Sequence, residues 1–551
     1  MKLKAHFQQN RFDWIIVTAV FIVALALRLK IQVRLFPDSI DYLTFAKNIF
    51  SGIHNTGDVT LGAYRRPPLY SHFIALFSSV NSSPVQLAAV ARQISQFSGA
   101  LLIFPVFWLG RLMLGTTAAT GAAILAAVTP EFLYYSGAVL TESLGTLLVT
   151  VAMVLVWKLS REGHSWSMAA AAGLFLGLGF LSRNALIGFV PLAVLWLIFP
   201  VVLDKTRRNR AFLQMRGLRV AVLVIAFLIT ISPQIIYLHR EIGGWHLAVD
   251  PFSDLSTRMR QAGTDIRYSR SSEAISSLTP DGKQYIWEAE EAQGLVTTVM
   301  KQPGFYFTAY LTTVINGYLP DTYPLPYPPL VLLLAVVGIL GLVVERKFEI
   351  TGFLLWSFVS YYLFLALFLN IRDRYMYPVY PFLIIAAGAG VWFLLKLSTR
   401  WVKEERTRQN LEWVSLMVTT GLILAIMLPS TLPFIDKQKK SADQSFFIDV
   451  GRDLSRRISP GSIMIDRTPH LPFYSGAIRT SPPYAEVDDV IGFCKTRGIR
   501  YWVVSTFYVP SLRPQFSSLL DPGRAPDGIK PVAIYNAGGN HRIIIYEILT
   551  A

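Results

Sequence analysis

The apolar residues of this chain come in repeated runs of about 17 to 25 positions, and no other feature restricts its fold so strongly. A run of that length crosses a hydrocarbon core as a helix, because each backbone N–H and C=O must find a partner inside its own segment. Eleven candidate spans are read: 14–33, 84–109, 115–132, 137–157, 167–183, 185–203, 218–238, 328–345, 351–370, 377–397 and 411–432. Thr116, Thr117, Thr120 and Pro130 dilute the third. With 53% hydrophobic and 16% charged residues, the 551-residue chain reads as a polytopic α-helical membrane protein of about 11 transmembrane helices.

The net charge of +16 does not call for nucleic acid. Much of the excess sits in short connections, as the positive-inside rule requires. Lys205, Arg207, Arg208, Arg210, Arg216 and Arg219 crowd one, and Lys396, Arg400, Lys403, Arg406 and Arg408 another. Lys2, Lys4 and Arg11 put the N-terminus inside as well, and with no small-residue cleavage site after it the first span is expected to stay. Arg28, Lys30 and Arg34 lie toward the outer end of that span, against the charge rule, and are expected to snorkel to the interface. An odd span count then leaves loops 34–83 and 239–327 and the tail outside. Residues 1–436 form the membrane domain and 437–551 a small soluble α/β domain on the periplasmic side. In that tail Ser462–Asp466, Tyr501–Val504 and Arg542–Ile548 read as strands and Val487–Arg497 as a helix. In loop 239–327, Arg258, Arg260, Asp265, Arg267 and Arg270 make a polar start, 285–301 reads as a helix, and the aromatic stretch 303–329 suits the interface. A lone Cys494 excludes internal disulfides and cysteine-built zinc sites, which suits a bacterial inner membrane.

The chemistry gathers at the mouths of spans. Asp38 and Asp41 follow the first span and, three apart, share one face of a short helix starting near Ser39. Helix capping by Asp38 or Ser39 is the plain alternative, but it needs one side chain. Arg65-Arg66-Pro67-Pro68 is a stiff cationic step suited to phosphate through paired guanidinium bonds. Glu142 opens a span from the outside, where an acid is costly unless it faces a polar cavity. Glu131 reads as a solvated acid at a span end. Arg183 and the group Arg372-Asp373-Arg374-Tyr375 sit between further spans on the same side. Acids at such mouths, Asp38, Asp41 and Glu142, can act as bases or ligands, and the guanidinium groups can bind phosphate. His54, His72, His239 and His246 lack metal-protease spacing, and no G-x-S-x-G elbow or phosphate-binding G-x-x-x-x-G-K-[ST] loop occurs.

In order along the chain, Asp38 to Asn48, Arg66-Pro67-Pro68-Leu69-Tyr70, Thr141-Glu142-Ser143, Leu181-Ser182-Arg183 and Arg374-Tyr375…Pro378…Tyr380-Pro381 resemble the GT-C glycosyltransferases of the protein O-mannosyltransferase and aminoarabinose–lipid A transferase type. The resemblance implies transfer of one sugar from a polyprenyl-phosphate carrier to an envelope lipid, glycan or protein, with inversion, at the outer face of the inner membrane. It makes Asp38 the first-loop catalytic acid and Arg66 a phosphate ligand, with Arg65, Arg183, Arg372, Arg374 and Tyr375 in the donor phosphate site. Many relatives carry Glu after the first acid, where this chain has Ser39, so a metal held by Asp38, Asp41 and Glu142 is not demanded. The expected partners are the donor, the acceptor and membrane lipids. The rivals are a transporter or flippase for a lipid-linked sugar, which would show inverted repeats and broken helices at mid-membrane, and a non-catalytic assembly protein.

Overall fold

In the computed structural model, residues 11–162, 165–203, 210–249, 277–285, 299–300, 303–316, 329–368, 371, 373–402, 405–459, 461–536 and 541–549 are described. The polar start of loop 239–327 and most of 285–301 fall outside these residues, as do Lys205, Arg207, Arg208 and Arg372. Two compact units form, each drawn from three stretches. One holds Met1–Arg34, Ala89–Trp245 and Thr313–Ala442, and the other Leu35–Ala88, His246–Thr312 and Asp443–Ala551.

Among its described residues, the first unit is built of helices. In the described residues of the whole chain, seven helical stretches are long and apolar enough to cross a membrane: Arg11–Lys30, Pro84–Leu114, Glu142–Arg161, Gln214–Ile242, Phe348–Ala366, Arg374–Thr399 and Leu416–Arg457. The last holds the end of the Glu405–Ser441 helix and the separate Ser445–Arg457 helix. An eighth crossing results if the Thr116–Val128 and Pro130–Gly137 helices, bent by 53° at Thr129, are one span. Trp166–Ser182, Asn184–Ile198 and Pro329–Val344 are apolar but shorter. The chain is thus a polytopic helical membrane protein, with seven or eight crossings by helix length where apolar runs had suggested eleven. The Tyr380–Thr399 helix is the inner one, with Ile384, Ile385, Ala387, Ala389 and Val391 buried. Small residues allow that: a Cβ on Gly338 would collide with the Ala386 carbonyl, and one on Gly390 with that of Leu334. Backbones this close pack by van der Waals contact where lipid removes the hydrophobic drive.

Pro130 has no N–H and disfavours helical geometry at the residue before it, so the third apolar run breaks there. The break orphans carbonyls that lipid cannot satisfy. Arg28 supplies the donors, bonding the Ala126 oxygen at 3.0 Å, the Ala127 oxygen at 3.2 Å and Ser136 Oγ at 3.2 Å. Thr431 Oγ1 donates to the Val128 oxygen at 3.0 Å. The expectation that Arg28 snorkels is therefore wrong: it is fully buried, because these three acceptors and the Ala24 carbonyl, at 3.1 Å, replace water around its guanidinium. Glu131, expected to be solvated, is buried too, in the first turn after the bend. Ends expected inside are tied by ion pairs, Arg111 to Asp13 at 2.9 Å, Arg161 to Glu349 at 3.0 Å, and Lys396 to Glu345.

The second unit contains a five-stranded mixed sheet in the order β2-β1-β3-β5-β4. The strands are β1 Ile463–Ile465, β2 Ile478–Thr480, β3 Tyr501–Ser505, β4 Ile529–Asn536 and β5 Arg542–Ile548. β1 pairs in parallel with β2 and β3, and β5 runs antiparallel to β3 and β4. The Val487–Thr496 helix covers one face through Val490, Phe493 and Cys494, and the Ser445–Arg457 helix the other through Val450 and Leu454. The strands and helix read from the tail's sequence are all present. β2 and β4 were not legible: β2 is three residues around an arginine, and β4 carries Pro531 beside an irregularity in its pairing. Tyr285, read as helical, instead pairs with Leu278 in an isolated bridge. Its hydroxyl donates to the Ser481 carbonyl, and its ring packs on Phe493.

Candidate functional site

The sequence-designated residues gather into two clusters, one in each unit. In the second unit, the Pro37–Ile49 helix opens with proline in its first turn, where the missing N–H costs nothing. Ser39 does the capping, its Oγ accepting the Phe36 N–H at 3.0 Å. Asp38 and Asp41 both turn to Arg66. Arg66 Nη2 donates to Asp38 Oδ1 at 2.6 Å and to Asp41 Oδ2 at 2.7 Å, and Nε donates to Asp41 Oδ2 at 2.9 Å. The guanidinium also lies 5.7 Å from the Tyr42 ring centre. Burial pulls Arg66 down, but the two carboxylates outweigh it and hold the cation well above its ordinary value. Roughly a fifth of each of the three side chains is exposed. Nη1 of Arg66 makes no hydrogen bond among the described residues, so it keeps two donors for an anion. Arg65 is half-buried at the end of the Leu61–Tyr64 3-10 turn.

A residue that sequence reasoning missed joins this group. Arg479 Nη1 reaches Asp41 Oδ1 at 3.4 Å. No local pattern marks it, since it sits in a three-residue strand 438 positions from its partner. Nearby, burial pushes the Asp58 carboxyl up against the opposing pull of Arg479 and Thr60, and pushes Asp466 up to about 7.

In the first unit, Glu142 begins the Glu142–Glu162 helix and is buried. Arg183, in extended conformation between the Trp166–Ser182 helix and the Asn184–Gly188 3-10 turn, donates through Nη1 to Glu142 Oε1. Tyr375 carries two guanidinium groups, Arg183 at 4.7 Å and Arg374 at 5.1 Å from its ring centre. Arg374 Nη2 donates to the Tyr375 hydroxyl at 3.3 Å. Among the described residues, Glu142 Oε2, Arg183 Nε and the Tyr361 hydroxyl are buried with no hydrogen-bond partner. Arg183 and Arg374 on one tyrosine beside Glu142 form, among the described residues, a polar cluster inside a helical membrane unit, whose guanidinium groups can take an anionic group. Arg372 cannot be placed, lying outside the described residues.

The donor set does not fit a metal. Both first-loop carboxylates are engaged by Arg66, and among the described residues no three His, Cys, Asp or Glu side chains come together as ligands.

Residues 65–237 match the family model for dolichyl-phosphate-mannose-protein mannosyltransferases. No curated protein sequence matches the chain. Among solved structures, ArnT from Cupriavidus metallidurans bound to undecaprenyl phosphate is 14% identical, covers 98% of each chain and has a TM-score of 0.53. Its apo form, at 13% identity and the same coverage, scores 0.54. The oligosaccharyltransferase AglB from Archaeoglobus fulgidus, in complex with an inhibitory peptide and a dolichol-phosphate, is 14% identical, covers 90% of this chain and 69% of its own, and scores 0.55. At these identities the likeness is one of fold alone.

Proposed function

We infer that this chain, a GT-C membrane glycosyltransferase of the mannosyltransferase type matched by residues 65–237, moves a single sugar from a polyprenyl-phosphate carrier to an envelope acceptor with inversion. One observation supports the reading: two carboxylates at the mouth of the first span converge on one guanidinium, whose Nη1 makes no hydrogen bond among the described residues. The donor class follows the undecaprenyl phosphate and dolichol-phosphate bound by the solved relatives. The transporter reading gains nothing from these matches.

Asp38 is assigned as the base. It takes the proton of the acceptor hydroxyl while that oxygen attacks the anomeric carbon. The bond from that carbon to the phosphate oxygen breaks, and the phosphate leaves with the electron pair. Asp41 shares Arg66 with Asp38 and keeps the pair oriented. The Arg183–Tyr375–Arg374 group is assigned to the leaving phosphate, where fixed cations stabilise developing charge. Glu142 holds Arg183 in its rotamer.

We place the chemistry at the outer face of a bacterial inner membrane. Gln444 and His470 of the tail lie 3.3 and 3.2 Å from the Leu35 carbonyl, and touching segments share one side of a membrane. That supports an even number of crossings between residues 35 and 444. Ten such crossings result if the bent pair and the three shorter apolar helices join the six long helices after Lys30. Lipids and glycans extracted from the envelope of a gene-deletion strain test the function by mass spectrometry. Loss of one sugar from an envelope component, with build-up of the polyprenyl-phosphate sugar, is expected. An unchanged envelope with an unchanged carrier pool refutes it.

A further inference from the structure

Resting on the reading of Asp38 and Asp41 as the catalytic pair, we propose that Arg479 is a positioning residue for that pair, so that the soluble β-domain builds part of the active site. Strand side chains alternate, and Arg479 in β2 points opposite to Ile478 and Thr480, its backbone level with Met464 of β1. The guanidinium is then held on every edge. Nε donates to the Asp466 carbonyl at 3.4 Å, and Nη2 to the Arg467 carbonyl at 3.4 Å and to Ser481 Oγ at 2.9 Å. Nη1 reaches Asp41 Oδ1 at 3.4 Å.

This arrangement divides Asp41 between two cations. Arg66 takes Oδ2 and Arg479 takes Oδ1, so the carboxylate plane is set from both sides. Only one of these cations is near it in sequence. A fork is needed: a lysine ammonium offers charge but cannot meet the two carbonyls, the hydroxyl and the carboxylate in one plane. The site has an outer support as well. The Ser481 that receives Nη2 also accepts, through its carbonyl, the hydroxyl of Tyr285 from loop 239–327. Arg479 touches no reacting atom in this scheme. It acts through Asp41, and its loss should lower turnover more than donor affinity.

The test uses the full-length protein in proteoliposomes made with lipid extract of the deletion strain, which carries accumulated donor and acceptor, diluted serially into neutral lipid. Arg479→Gln should lower apparent kcat by about 10- to 100-fold, the scale of a small misplacement in a catalytic group, with apparent KM changed less than about threefold. Arg479→Lys should recover part of the loss, and Ser481→Ala, which keeps the arginine, should lower kcat in the same direction by a smaller factor. In a double-mutant cycle, Asp41→Asn combined with Arg479→Gln should be no slower than Asp41→Asn alone. Effects that multiply, or an Arg479→Gln enzyme with wild-type kcat, overturn the positioning role while leaving the acid pair standing. Wild-type kcat in both Asp38→Asn and Asp41→Asn overturns the pair and this proposal together. A monodisperse gel-filtration peak and an unshifted melting midpoint for Ser481→Ala separate misplacement from misfolding.

Discussion

Asp38 and Asp41 lean on one arginine, and this sets what each substitution should do. Asp38→Asn leaves Asp41 bonded to both Nε and Nη2 of Arg66, so the helix start and the loop stay joined. Turnover should fall by about 10²–10⁴-fold with an unchanged melting profile, the usual cost of losing a general base. Near-normal turnover in purified Asp38→Asn would return the residue to a structural role. Asp466 makes a separate statement. Burial lifts its carboxyl to about 7, against the bonds from Thr468 that favour the charged form. Between its ordinary value and about 7 the folded protein therefore holds a proton that the unfolded chain has released. The stability linked to that proton is fully present at low pH and is lost as pH rises through about 7. Asp466→Asn, which keeps the acceptor for Thr468, should flatten that fall. Melting midpoints of the two proteins between pH 5.5 and 8.5 measure it, and parallel curves would show that Asp466 is ionised throughout.

At the scale of elements, the broken third span depends on a cation from the first. Arg28→Ala removes the donors to the Ala126 and Ala127 carbonyls and opens a cavity where a fully buried side chain had been. Each buried carbonyl left unsatisfied costs about 1–3 kcal/mol. A clear drop in the melting midpoint of the detergent-solubilised protein is expected, and an unchanged midpoint would mean that the bend finds other partners. Arg183→Lys probes another junction, between the Trp166–Ser182 helix and the following 3-10 turn. The charge survives, but stacking on Tyr375 and the directional bond to Glu142 do not. Transfer should drop at least tenfold, and full activity would remove Arg183 from the donor site.

For the whole molecule, the decisive quantity is the side on which the tail lies. Ser441 is exposed at the end of the Glu405–Ser441 helix, while the single native thiol, Cys494, is fully buried and pushed up by that burial. Ser441→Cys is therefore a clean reporter. An impermeant maleimide should label it in intact spheroplasts, and labelling only after lysis would put the tail inside.

The apolar runs, the basic connections and the acid pair were legible because each is local. A membrane helix is written in about twenty consecutive residues, and Asp38 and Asp41 share a face through helical spacing alone. The burial of Arg28 and Glu131, the bend at Thr129 as a capped break, and the place of Arg479 beside Asp41 were not legible. Each depends on which distant backbone supplies or needs a hydrogen bond, and partners 98 or 438 positions apart leave no periodic trace in the chain. The sequence by itself determined that this chain crosses a membrane many times and where its reactive side chains stand. Only the tertiary structure decided which of them meet, because in lipid every buried donor and acceptor must find its partner, and that pairing belongs to the folded molecule as a whole.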